Sequence, residues 1–134
     1  MKDFHFDAIA AFENYEIKTM RDGHVVVTTK VVESSLNYYG NAHGGYLFTL
    51  CDQISGLVVI SQGVDGVTLQ SSINYLKAGR LGDVLTIHGE CVHSGRTTRV
   101  VDVDITNQDG ANVCKATFTM FVTGERDESA KVRI

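Results

Sequence analysis

Between Gly44 and Gln62 the apolar positions follow the pitch of a helix. Leu47, Leu50, Cys51, Ile54, Leu57, Val58 and Ser61 fall at i, i+3, i+4 and i+7, and Phe48, Val59 and Ile60 add apolar surface off that stripe. A helix apolar nearly all round is expected to be buried. Asp52 is the single ordinary charged residue inside it. Burying an unpaired carboxylate costs several kcal/mol, so its place on such a helix predicts a purpose.

On either side of this helix the pattern changes. Phe4, Phe6, Ile9, Ala10 and Phe12 predict a short amphipathic helix over residues 4–14, packed on the outside of the domain. Residues 15–20 and 25–32 flank Arg21-Asp22-Gly23-His24, a hairpin signal with Asp-Gly at the turn. Residues 33–43 are polar and irregular and predict a loop into the central helix. After a turn at Gly63–Gly66, strands are predicted over 67–78, 84–93, 96–106 and 112–123. In the third of these, Val101, Val103 and Ile105 alternate with Asp102 and Asp104, the pattern of an antiparallel sheet with one wet face. In the last, Cys114, Ala116, Phe118, Met120 and Val122 suit a core face, and Asn107–Gly110 makes the hairpin turn before it. Four strands in succession cannot alternate with helices, which argues against a parallel doubly wound sheet. The expected class is α+β: an antiparallel sheet of about five or six strands curled around one long central helix.

At 134 residues the chain is one domain's worth, and no linker, repeat or low-complexity stretch divides it. A single domain over 1–134 is expected, with a charged, flexible tail from about residue 124. A net charge of −4 gives no nucleic-acid footprint. Cys51, Cys91 and Cys114 lack metal-type spacing and read as three reduced thiols of a cytoplasmic protein. Cys51 lies on the apolar stripe and is expected to pack rather than to attack. His5, His24, His88 and His93 show no paired metal spacing and are taken as surface or strand residues. No stretch reads as a membrane span or signal peptide, and neither a metal nor a cofactor is expected.

The helix is entered through His43-Gly44-Gly45, which leaves open N–H groups at its positive end. An open helix N-terminus and a lone carboxylate are the parts needed to hydrolyse an acyl bond.

Asn37-x-x-Gly40-x-x-His43-Gly44-Gly45, with Asp52 after a further six residues, resembles the signature of hotdog-fold thioesterases, nearest the phenylacetyl-CoA thioesterase-like branch. The resemblance runs over residues 30–123 and takes in Gly66-Val67-Thr68, the Asn74-Tyr75 pair, Leu81-Gly82-Asp83 and Ser94-Gly95-Arg96-Thr97. One departure is the lack of a proline near Lys77–Ala78. The resemblance implies the hotdog fold and hydrolysis of an acyl-CoA thioester. Asp52 would be general base or nucleophile, and the Gly44 N–H would polarise the carbonyl. By the same resemblance Asn37 would orient water or the thioester, His43 would steady the loop and the carbonyl contact, and Thr68 would help hold the water. Gly45, Tyr46, Arg96 and Thr97 are the expected substrate-binding residues. Lys77, Arg80, Arg96 and Arg99 are candidates for the anionic end of coenzyme A, Arg96 foremost.

Geometry adds a constraint. Gly44 and Asp52 stand eight residues apart on one helix, so roughly 12 Å of rise separates their backbones. A short carboxylate side chain does not cross that distance. Acting on one thioester, the two come from different copies of the chain, which predicts a two-fold homodimer with shared sites, and pairing of dimers beyond it. Two other functions fit the scaffold: a hydratase or dehydratase acting on an acyl thioester, and a non-catalytic acyl-CoA-binding protein. The absence of a second histidine on the helix near Asp52 weighs against the first, and the absence of a basic DNA-binding segment against the second.

Overall fold

The computed structural model describes residues 6–127 and Ser129. Its elements in chain order are β1 (Glu16–Arg21), β2 (His24–Lys30), a 3-10 turn (Glu33–Ser35), α1 (Gly44–Ser61), β3 (Val64–Tyr75), β4 (Val84–Ser94), β5 (Thr98–Thr106) and β6 (Asn112–Glu125). All six strands form one antiparallel sheet in the order β1-β2-β4-β5-β6-β3, and α1 packs across its inner face. This is the hotdog fold that the resemblance implies.

The alternation seen in the sequence decides which face is inner. Val101, Val103 and Ile105 of β5 and Cys114, Ala116, Phe118 and Met120 of β6 are buried beneath the helix, with Val25, Val27, Leu85 and Ile87. Asp102 and Asp104 point to the opposite face. From α1, Tyr46, Leu47, Leu50, Cys51, Ile54, Ser55, Val58 and Val59 enter the same core. The sheet covers only that side. Phe48, Asp52, Gln53, Leu57 and Ile60 remain half-exposed, so the helix is buried along one face and not all round, as its composition suggests. By length and composition alone α1 could cross a membrane, which the sequence pattern did not suggest. Its packing on the sheet accounts for the apolar stripe.

The N-terminal expectation is corrected. Phe4 and His5 lie outside the described residues, and residues 6–11 form no helix. Their backbone is taken up by tertiary contacts instead: the Ala10 N–H donates to the Ser34 carbonyl at 3.4 Å, and Ser35 Oγ donates to the Ala10 carbonyl at 3.3 Å. Strand limits also move: β2 ends at Lys30 and β3 at Tyr75, short of residues 32 and 78, and β6 continues to Glu125, past the expected start of the tail. β3 starts at Val64, inside the expected turn, and β5 starts at Thr98 rather than residue 96.

The helix approaches the sheet closely at Gly89 of β4. A Cβ there would lie 2.8 Å from Ile54 Cγ2 and 2.9 Å from Val58 Cγ2. Close-packed interiors resist such insertion. Gly89→Ala is therefore expected to destabilise the protein by about 1–3 kcal/mol, read as a lower urea midpoint at unchanged slope. An unchanged midpoint would mean that helix and sheet are not held at this spacing.

Candidate active site

Two groups of the expected residues assemble on α1, one at its N-terminus and one two turns further on. The first begins in the loop before the helix. Asn37 Oδ1 accepts from the backbone N–H groups of Tyr39 (3.0 Å) and Asn41 (3.1 Å), and the Asn37 N–H donates to the Asn41 carbonyl at 2.7 Å. The Asn37 oxygen thus makes the turn, and only its amide nitrogen is left for a ligand. Ala42 N–H donates to the Gly79 carbonyl and His43 N–H to the Ser35 carbonyl, each at 2.8 Å. The loop is tied on both sides.

His43 caps the helix. Its Nδ1 accepts the Gly45 N–H at 2.9 Å, one of the orphan donors of the first turn. An acceptor Nδ1 means a neutral ring protonated on Nε2, so the outer nitrogen is a donor. Gly45 makes room for this, since a Cβ at 45 would lie 3.1 Å from that nitrogen. The His43 carbonyl accepts from Leu47 N–H at 3.0 Å, and the Gly44 carbonyl accepts the Tyr75 hydroxyl at 2.8 Å. The Gly44 N–H meets no acceptor among the described residues. Gly44, Leu47, Tyr75 and Lys77 border a cleft of about 360 Å³. Tyr75 carries no expected role beyond its place in the Asn74-Tyr75 pair; nothing in strand alternation says that its hydroxyl reaches the helix start.

The second group is Asp52 with Thr68. Thr68 Oγ1 donates to Asp52 Oδ1 at 2.9 Å and also touches Met120 Sδ at 3.4 Å. Asp52 is half-exposed, which corrects the picture of a carboxylate sealed in apolar surroundings; the open side of α1 gives it access to solvent within a single chain. Just past Thr68 the register with β6 slips, Thr68 pairing with Met120 and Gln70 with Thr119, so Leu69 is an extra residue on β3. Such bulges re-aim side chains beside functional sites.

The remaining candidates divide. Tyr46 is only 2% exposed, and its hydroxyl approaches Ser35 without reaching hydrogen-bond geometry. Burial raises its phenol above the ordinary value. Tyr46 is core and lines no open surface of the single chain. Arg96 and Thr97 are exposed in the β4–β5 turn; the Thr97 carbonyl accepts from Val122 N–H, and Val122 pairs with Gly66 of β3, two residues from Thr68. Arg99 Nε donates to the Gly95 carbonyl at 2.8 Å and its Nη1 to Gln62 Oε1 at 2.7 Å; Arg80 Nη1 donates to Asn41 Oδ1 at 2.7 Å. Those two arginines brace the fold, Arg80 from an exposed position, and Lys77 and Arg96 are exposed as well. Cys51 and Cys114 are buried with sulfurs 3.9 Å apart. The Cys114 contact and burial hold the Cys51 thiol well above its ordinary range, so it is a packing residue and no nucleophile. His24 and His88, unrelated in spacing, meet on neighbouring strands with ring nitrogens 3.3 Å apart, on the sheet face away from α1. Among the described residues no group of three His, Cys, Asp or Glu side chains could hold a metal.

A model of the thioesterase superfamily matches residues 39–114. The acyl-coenzyme A thioesterase PaaI of Escherichia coli (strain K12) is 36% identical over 107 residues, which cover 80% of this chain and 76% of that protein. A hypothetical thioesterase protein from Streptococcus pneumoniae TIGR4, solved with coenzyme A, is 87% identical over 92% of this chain and 100% of its own, with a TM-score of 0.91. That protein has also been solved as Thr68Ala and Asp52Ala mutants. A Streptococcus mutans UA159 protein bound to acetyl CoA is 67% identical over 92% of this chain and 100% of its own, with a TM-score of 0.85. The family match runs from the loop that holds the helix entrance, through α1 with Asp52 and β3 with Thr68, to the start of β6. The chain belongs to the thioesterase superfamily.

Proposed function

We propose that the protein hydrolyses an acyl-CoA thioester to the free acid and coenzyme A, with Asp52 as general base and the Gly44 N–H as oxyanion donor. The observation that carries this reading is the pair of open groups on one helix. The Gly44 amide meets no acceptor among the described residues, while Asp52 is oriented by Thr68 through one oxygen and keeps the other for a water proton. As water attacks the thioester carbon, Asp52 takes its proton and the carbonyl oxygen becomes an oxyanion. A fixed donor at that oxygen contributes about 3–4 kcal/mol. The tetrahedral intermediate then expels the coenzyme A sulfur, which recovers the proton. His43, with its proton on Nε2, adds a second donor at the helix entrance. The Asn37 nitrogen, Thr97 and the exposed Arg96 belong to substrate binding, Arg96 toward the phosphate end.

The site is shared between two copies. β3 is an edge strand, and Val67 (52% exposed), Leu69 (59%) and Tyr75 (51%) leave its surface apolar. A long exposed apolar edge is a template for pairing with another chain. Thr68 touches Asp52, and Tyr75 touches Gly44. Antiparallel pairing of two β3 strands about a two-fold axis between Ser71 and Ser72 would set Thr68 of one copy opposite Tyr75 of the other. Asp52 of one copy is then brought toward Gly44 of the second, which the rise of a single helix forbids within one chain.

Asp52→Asn is expected to lower kcat about 10²- to 10⁴-fold in a thiol-release assay on aryl- and alkyl-CoA thioesters, with the fold retained by circular dichroism. Wild-type turnover in the variant would remove Asp52 from the chemistry. Heterodimers of Asn37→Ala and Asp52→Asn, each inactive alone, are expected to regain about half of the wild-type activity, because one of the two shared sites is then intact. Verified heterodimers without activity would place each site within one chain. In a single turnover with excess enzyme in ¹⁸O water, the product acid is expected to carry the label; label found on Asp52 instead would identify a nucleophile.

A further inference from the structure

The turn His43-Gly44-Gly45 is held by a chain of hydrogen bonds that starts on another element. The Tyr75 hydroxyl, at the end of β3, donates to the Gly44 carbonyl at 2.8 Å. That carbonyl belongs to the same peptide group as the Gly45 N–H, which donates to His43 Nδ1 at 2.9 Å. The peptide plane is clamped at both ends. The preceding peptide is clamped as well, through the His43 carbonyl and Leu47 N–H at 3.0 Å. A donor placed on a peptide carbonyl polarises the group and strengthens the bond its own N–H makes, so the two contacts reinforce each other. In this turn the Gly44 N–H and the outer nitrogen of His43 are left open. A Cβ at residue 44 would rest 3.4 Å from the Tyr75 oxygen and 3.5 Å from its ring, so the hydroxyl sits close against the backbone it holds.

We propose that Tyr75 is a positioning residue that acts through the Gly44–Gly45 peptide: by holding its carbonyl it fixes His43 in the tautomer protonated on Nε2 and aims the Gly44 N–H. This inference rests on the proposed function for its catalytic consequence, and on the hydrogen-bond chain alone for its structural one. Within one chain Tyr75 holds the Gly44 carbonyl while Thr68 holds Asp52, so a role through the peptide is read in the chemical step rather than in affinity. Its own half-exposed position at the border of the cleft means that removing one oxygen leaves the packing intact.

Tyr75→Phe keeps the ring and removes only the donor. The variant is expected to lose about 5- to 20-fold in kcat with KM within about twofold, the scale of one hydrogen bond made better in the transition state. In ¹⁵N-resolved spectra of the histidine side chains at neutral pH, His43 is expected to give the pattern of a single tautomer, Nδ1 bare and Nε2 protonated, in the wild type and a mixture of tautomers in Tyr75→Phe. A variant with wild-type kcat, or one in which kcat falls while the His43 signals stay unchanged, would overturn the proposal. Failure of the proposed function looks different: the wild-type protein itself would release no thiol from any acyl-CoA. The histidine spectra would still decide, with unchanged signals counting against Tyr75 and mixed signals for it.

Discussion

A straight helix cannot bring its own first residue and its ninth to one point. This limit governs the arrangement of the candidate site. α1 carries an open backbone donor at Gly44 and a carboxylate at Asp52, and roughly 12 Å of rise keeps them apart. Each end is anchored separately by β3, through Tyr75 at the start of the helix and Thr68 two turns later. One rigid helix and one edge strand run side by side, joined at two levels. Any second copy that pairs along that edge meets both levels at once.

The sheet makes this economical. Strands β2, β4, β5 and β6 bury their alternate side chains under α1, and the strand order leaves β3 and β1 as edges. Gly89 lets the helix settle close to the middle of the sheet, while the outer side of the helix stays partly open. Asp52 lies toward that open side, which is how a helix of such apolar composition carries a carboxylate without the full cost of burial. The access of Asp52 to solvent is the consequence of leaving one face of a core helix uncovered.

At the helix entrance the same economy applies to hydrogen bonds. Polar groups of the loop 35–45 are engaged by near neighbours: Asn37 by its own turn, Ala42 by Gly79, His43 by Gly45. A site that must hold a developing negative charge works best when its donors cannot reorganise, and donors are immobile when their neighbours are all engaged.

Much of this was legible in the chain. The 3.6-residue period over 44–62 marks the helix. The alternation of Val101, Val103 and Ile105 with Asp102 and Asp104 marks a sheet with one wet face. The spacing of Asn37, His43, Gly44 and Asp52 carries the resemblance that marks the candidate site and, with the rise of a helix, the separation of its two halves. These are local properties, set by side-chain period and by backbone dimensions, and they need no knowledge of what lies across the fold. The failures are non-local. Residues 6–11 have a helical pattern and yet spend their hydrogen bonds on Ser34 and Ser35; Tyr46 looks like a pocket residue and is sealed in the core; Asp52 looks sealed and is half-open. Tyr75 reaches Gly44 across thirty-one positions. The sequence by itself determined which residues could do the chemistry and on which elements they stand. Only the tertiary structure decided which of them meet, because contact and exposure depend on the neighbours that the sheet order brings alongside, and those neighbours are distant in the chain.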